Sequence, residues 1–122
     1  MWEKYNPNPC GRSVGDCAVR AIAKALDVDW ETAYLMLARN GYDMCDMPSS
    51  NSVWSALLRQ RGFRCIVTED MPTFGEFVFK NKSGVSVLCS GTHVATAIDG
   101  ILYDAWDSSK EPLSFYWYKK ER

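Results

Sequence analysis

The chain has 122 residues, the length of one ordinary domain. It is 47% hydrophobic, 13% aromatic and 24% charged, a mixture that excludes a disordered polymer. Fourteen Lys and Arg against fifteen Asp and Glu leave a net charge of −1. That balance lacks the basic footprint of a nucleic-acid binder, and no apolar run is long enough to span a membrane.

Residues 1–15 read as an irregular lead-in. Asn6-Pro7-Asn8-Pro9 disfavours helix, because a residue before proline is pushed toward extended conformations, and Gly11 and Gly15 add turn signals. The Met1 to Pro9 stretch has no apolar signal-peptide core. From Cys17 to Leu26 the text is Ala-rich, with Val19, Ile22, Ala23 and Leu26 on one helical face and Asp16 placed as N-cap. A second helix is predicted over Trp30 to Arg39, capped by Asp29, with Ala33, Met36 and Leu37 inward and Asn40-Gly41 as its stop. A third spans Ser52 to Arg61, burying Val53, Leu57 and Leu58 and ending at Gly62.

Phe63 to Thr68 reads as a short strand, and Thr73 to Glu76 has the form of a capping box opening a short helix through Phe79. Beyond the turn at Asn81 to Gly84 the character changes. Val85 to Cys89, Thr92 to Ile98, Ile101 to Trp106 and Leu113 to Tyr118 are rich in β-branched and aromatic residues, so several antiparallel strands are expected. Helices first and strands afterwards give an α+β domain, with no repeat, linker or second domain in 1–122.

Five cysteines, at 10, 17, 45, 65 and 89, are odd in number and include no C-x-x-C pair. A disulfide framework is not expected, and a reducing cytosol fits better. Cys10 and Cys17 are seven residues apart, too far for the usual tight pair of a structural zinc site. A metal set of Cys10, Cys17 and His93 therefore ranks well below the other readings, and no cofactor is expected.

One histidine is present, so any imidazole chemistry runs through His93. A thiol nucleophile needs a lowered pKa, a base within hydrogen-bond reach and a group that orients the base. Cys17 is placed at a helix start, where unpaired N–H groups and the positive end of the dipole favour thiolate and can hold an oxyanion. Asp99-Gly100 between two strand runs is a two-residue hairpin signal. With Ile98 opposite Ile101, His93 falls opposite Trp106 and Ala95 opposite Asp104, which puts Asp104 diagonally on the face of His93. A three-residue turn or a bulge would bring Asp107 there instead; Asp104 is favoured and Asp107 is the alternative. Taken singly these are ordinary residues, and their combination carries the reading. Arg20, one turn beyond Cys17, reads first as a surface residue and second as a contact for a substrate carboxylate or the local backbone. Trp30, Trp54, Trp106 and Trp117 read as core and sheet packing, with one of them available to rim a groove.

Gly15-Asp16-Cys17 at a helix start, followed by HVATAIDG and ILYDAWDSS, resembles the papain-like cysteine peptidase superfamily. The chain order is the same, with the nucleophile heading a helix, His on a later strand and Asp or Asn on the next. More narrowly, NPNP (Asn6 to Pro9), GDCxxRAI (Gly15 to Ile22), W-x-x-x-Y (Trp30 to Tyr34) and HVxAxxDGxxYDxWDS (His93 to Ser108) resemble a group of small bacterial and phage proteins. The resemblance implies a papain-like core, its N-terminal helices, nucleophile helix first, packed on a C-terminal antiparallel sheet.

It also implies a cysteine-dependent acyl-transfer hydrolase, whether peptidase, isopeptidase or amide hydrolase. Cys17 would be its nucleophile, His93 its base and Asp104 (or Asp107) its orienting group. Such enzymes usually carry Gln about six residues before the nucleophile to complete the oxyanion hole. Gly11 stands there, so the hole falls to the Cys17 main chain and to Asn8, ahead of Asn6 and the Ser13 hydroxyl. The expected partner is a peptide or protein substrate at a shallow groove, with neither nucleic acid nor membrane involved. A deamidase or transglutaminase would use the same thioester. The alternative is a catalytically inactive papain-fold binding module, such as a phage or mobile-element protein that binds a host factor.

Overall fold

A computed structural model describes residues 1–121. Strand β1 (Trp2–Lys4) is followed by helices α1 (Cys17–Leu26), α2 (Trp30–Met44) and α3 (Asn51–Gln60). Then come β2 (Arg64–Val67), α4 (Phe74–Lys80), β3 (Val85–Cys89), β4 (Val94–Ile98), β5 (Ile101–Asp104) and β6 (Phe115–Lys119). The sheet has six strands in the order β1-β5-β4-β3-β6-β2. The protein is α+β, with helices packed on the sheet.

Pleat alternation sorts the side chains into two layers of core. Val85, Val87, Cys89, Val94 and Trp117 face α1, α2 and α3 in one buried cluster. Leu88, Ala95, Ala97 and Leu102 face the other way and pack with Phe74, Phe77 and Val78 of α4. Helix α1 is buried nearly all round, at Ala18 to Ala23 and at Ala25, because it lies between the sheet and α2. Its alanines let both neighbours approach closely. Thr96, fully buried on β4, donates its hydroxyl to the Ala21 carbonyl at 2.7 Å and pins α1 along the strand.

Three expectations need correction. Helix α2 does not stop at Asn40-Gly41 but continues to Met44, where Cys45 takes the left-handed cap conformation. Gly41 serves packing there, since a Cβ would lie 2.9 Å from the Asp46 carbonyl. Asn40 stays helical while its amide donates to the Val53 carbonyl of α3. The lead-in is not wholly irregular, because Trp2–Lys4 form β1. The sheet is not wholly antiparallel, because β1 pairs parallel with β5. Every other strand pair is antiparallel. The capping box at Thr73 and Glu76 forms with both of its bonds.

The Cys17, His93 and Asp104 site

The site lies at the end of the sheet where α1 begins, β4 begins and β5 finishes. Asp99 and Gly100 both adopt positive φ (49° and 85°), as a type I′ hairpin turn requires. The register is Ile98↔Ile101, Ala97↔Leu102 and Thr96↔Tyr103, which carries Asp104 to the diagonal of His93. His93 is held just before β4 by its own turn. Its N–H donates to Ser90 Oγ at 3.1 Å, and its carbonyl accepts from the Ser90 N–H at 2.9 Å.

His93 Nε2 lies 2.6 Å from Asp104 Oδ2. The other ring nitrogen is thereby left for Cys17, whose thiol shares a cavity with the His93 side chain and Val94 and has its pKa lowered by both. The imidazole is flanked by the buried Phe74 ring and by Trp106, whose centroid is 4.7 Å away. Trp106 is not core packing: it is half-exposed and covers one side of the His93 ring. Asp107 points away, accepting from the Ser109 N–H and hydroxyl in an exposed turn. The structure therefore brings Cys17, His93 and Asp104 together and leaves Asp107 out.

Electrostatics reinforces the contact. Burial pushes the Cys17 thiol up, but hydrogen bonds from His93 and Val94 and the charges of His93 and Arg20 outweigh it and hold it below its ordinary value. Burial likewise opposes the His93 cation, yet Asp104 and Cys17 raise it to about 9. Burial disfavours the Asp104 carboxylate too, and the His93 and Ser108 hydrogen bonds, with the His93 charge, nonetheless keep it low. A lowered thiol beside a raised imidazole shifts the pair toward thiolate and imidazolium relative to the isolated groups. Cys65 and Cys89 move the other way, raised first by burial.

Arg20 is not a surface residue. It is buried, its guanidinium bridging Asp16 and Asp104. Asp16 holds the N-cap position of α1 without capping it: its carboxylate instead receives Arg20 and, at 2.9 Å, the indole N–H of Trp30. Sequence spacing alone could not reveal this, because the partner carboxylate of Arg20 lies 84 residues away. The i, i+4 spacing of Asp16 and Arg20 on one helix was the available signal.

A narrow cavity of about 80 Å³ opens on Cys17, lined also by Val19, Asn51, Trp54 and His93. It adjoins a cavity of about 390 Å³ walled by Val14, Val19, Trp30, Tyr34 and Pro48, with Asn8 and Arg12 at its polar side. Gly15, Asp16, Val19 and Ser49 line both. Gly15, which lines both, has open space where a Cβ would be. Asn8 thus lies in the adjoining cavity. Its Oδ1 accepts from the N–H groups of Cys10 (2.9 Å) and Arg12 (3.3 Å), so it also shapes the loop before Gly15. Asn51, not foreseen, reaches the Cys17 cavity directly; its Nδ2 donates to the Gly91 carbonyl and its Oδ1 accepts from Trp54.

Among the described residues no group of three or more His, Cys, Asp or Glu side chains is placed to hold a metal. No helix among the described residues is long and apolar enough to cross a membrane. Comparison with protein-family models, curated proteins and solved structures finds no match.

Proposed function

We propose that the protein is a cysteine-dependent acyl-transfer hydrolase built on a papain-like scaffold and acting on an amide of a peptide or protein. The observation that carries this reading is the grouping of Cys17 and His93 on one cavity, with His93 Nε2 bonded at 2.6 Å to the buried Asp104 carboxylate. In the first step the Cys17 thiolate attacks the substrate carbonyl carbon, and the carbonyl electron pair moves to oxygen. The first-turn N–H groups of α1, which have no intrahelical acceptor, receive that oxyanion, with Asn51 on the Cys17 cavity as the nearer side-chain donor and Asn8, from the adjoining cavity, as the other. Collapse of the intermediate expels the amine, which takes its proton from His93 and leaves a thioester on Cys17. His93, now neutral, takes a proton from water as water attacks the thioester, and the thiolate leaves. Asp104 accepts the Nε2–H throughout and so fixes the tautomer. The five free thiols fit action in a reducing cytosol, of a bacterium or of a phage host.

A thiol-directed epoxide tests the proposal. Cys10, Cys45 and Cys65 are more exposed than Cys17, so access alone would favour labelling them. Mass spectrometry should find the adduct on Cys17 first, and His93→Ala should suppress it. Equal slow labelling of the exposed cysteines would leave a non-catalytic binding scaffold as the better account.

A further inference from the structure

A carboxylate that orients a base must itself be oriented, and Asp104 has two oxygens. Oδ2 faces His93 and also accepts from the Ser108 hydroxyl; Oδ1 accepts from the Ala105 N–H at 2.8 Å and from Arg20 Nη2 at 3.1 Å. The other arm of the Arg20 fork holds Asp16, the residue directly before Cys17. Asp16 is anchored in turn to Trp30 of α2. One planar side chain therefore ties the backbone that presents the thiol to the carboxylate that presents the base.

Stability is a weak reason for this arrangement. Arg20, Asp16 and Asp104 are all buried, and Arg20 Nε is a buried donor with no acceptor among the described residues. Replacing a buried ion cluster by apolar side chains of similar size is commonly neutral or stabilising. An orphaned N–H adds to the desolvation cost. The fork instead supplies direction, since a guanidinium offers donors in a fixed plane and an ammonium does not.

We infer that Arg20 is a positioning residue: its guanidinium clamps Asp16 to Asp104 and thereby holds Asp104 Oδ2 on His93 while fixing the start of α1 beside it. The inference rests on the proposed role of Cys17 and His93, but its test does not require turnover. The single histidine gives one imidazole signal, so His93 can be titrated by NMR in wild type, Arg20→Lys and Arg20→Gln. A clamp and a mere neighbouring cation differ in sign. If Arg20 acts only as a nearby positive charge, R20Q should raise the His93 midpoint and R20K should leave it in place. If Arg20 positions Asp104, the midpoint should fall in both by about one pH unit. Cys17 alkylation at pH 6 should then slow by about tenfold, with little change above pH 10.

A midpoint that rises or stays put in folded R20Q and R20K overturns the inference. Should R20Q not fold, R20K and Asp16→Asn decide by the same criterion, D16N being expected to show a smaller fall. A wild-type protein with an ordinary imidazole and an ordinary thiol would instead sink the acyl-transfer proposal itself.

Discussion

Replacing Asp104 by Asn keeps the shape of the site and removes one charge. In the folded protein His93 moves from 6.5 to about 9, a preference for the charged ring of roughly 3 kcal/mol. Asp104 and Cys17 share that preference, so losing the Asp104 charge should bring the midpoint down by about one pH unit or more. Asp104 is almost fully buried and also faces Arg20, so its removal leaves a buried cation half unpaired. The fold should lose about 3–5 kcal/mol, the usual cost of breaking a buried pair from one side.

The pH dependence has a definite sign. A raised histidine stabilises the fold fully below its unfolded value of 6.5, and that stabilisation is lost as pH rises through about 9. The Asp104 carboxylate is held low, so its contribution is present above its unfolded value of 3.8 and fades as pH falls through its folded one. The difference between wild type and Asp104→Asn should therefore be largest between about pH 4 and 6.5 and shrink toward pH 9 and above. Urea unfolding at a series of pH values, with NMR titration of His93, measures both parts. A folded D104N protein whose imidazole still titrates at about 9 would refute the reasoning.

Thr96→Val should cost about 0.5–1.5 kcal/mol in urea unfolding, because the hydroxyl bond is lost while Ala21 keeps its helical partner. It should also slow Cys17 alkylation, since the pin between α1 and β4 is gone. Asp107→Asn, at an exposed turn, should leave both the alkylation rate and the His93 titration unchanged. A clear loss in D107N would show that the wrong aspartate has been assigned. His93→Ala should return Cys17 toward ordinary thiol reactivity, visible as an acid limb of the alkylation profile moved to higher pH.

The parts of the site legible in the sequence are those set by local rules. Asp99-Gly100 selects a two-residue turn, the turn selects the register, and the register distinguishes Asp104 from Asp107. Cys17 at the first position of α1 follows from helix periodicity and the residues before it. What escaped depends on partners remote in sequence. Three-residue β1 exists only because β5 offers it an edge. Gly41 resembles a helix stop until Asp46 to Pro48 are seen packed against its missing side chain. Arg20 looks like an exposed cation on an amphipathic helix until two aspartates, one of them far along the chain, close around it. A short-range rule cannot register a second layer of packing, and α1 has packing on both sides.

The parallel pairing of β1 bears on how the protein can be handled. The Leu102 N–H donates to the Met1 carbonyl, and the Tyr5 N–H donates to the Asp104 carbonyl, both at 2.8 Å. These first residues are a splint along the strand that ends in Asp104. Trimming residues 1–5 would turn β5 into an outer strand with bare backbone groups, open to fraying or to pairing with another chain. Faster hydrogen exchange at Tyr103 and Asp104, ahead of any change in α3, would be its first sign. An affinity tag therefore belongs at the far end of the chain, away from the splint.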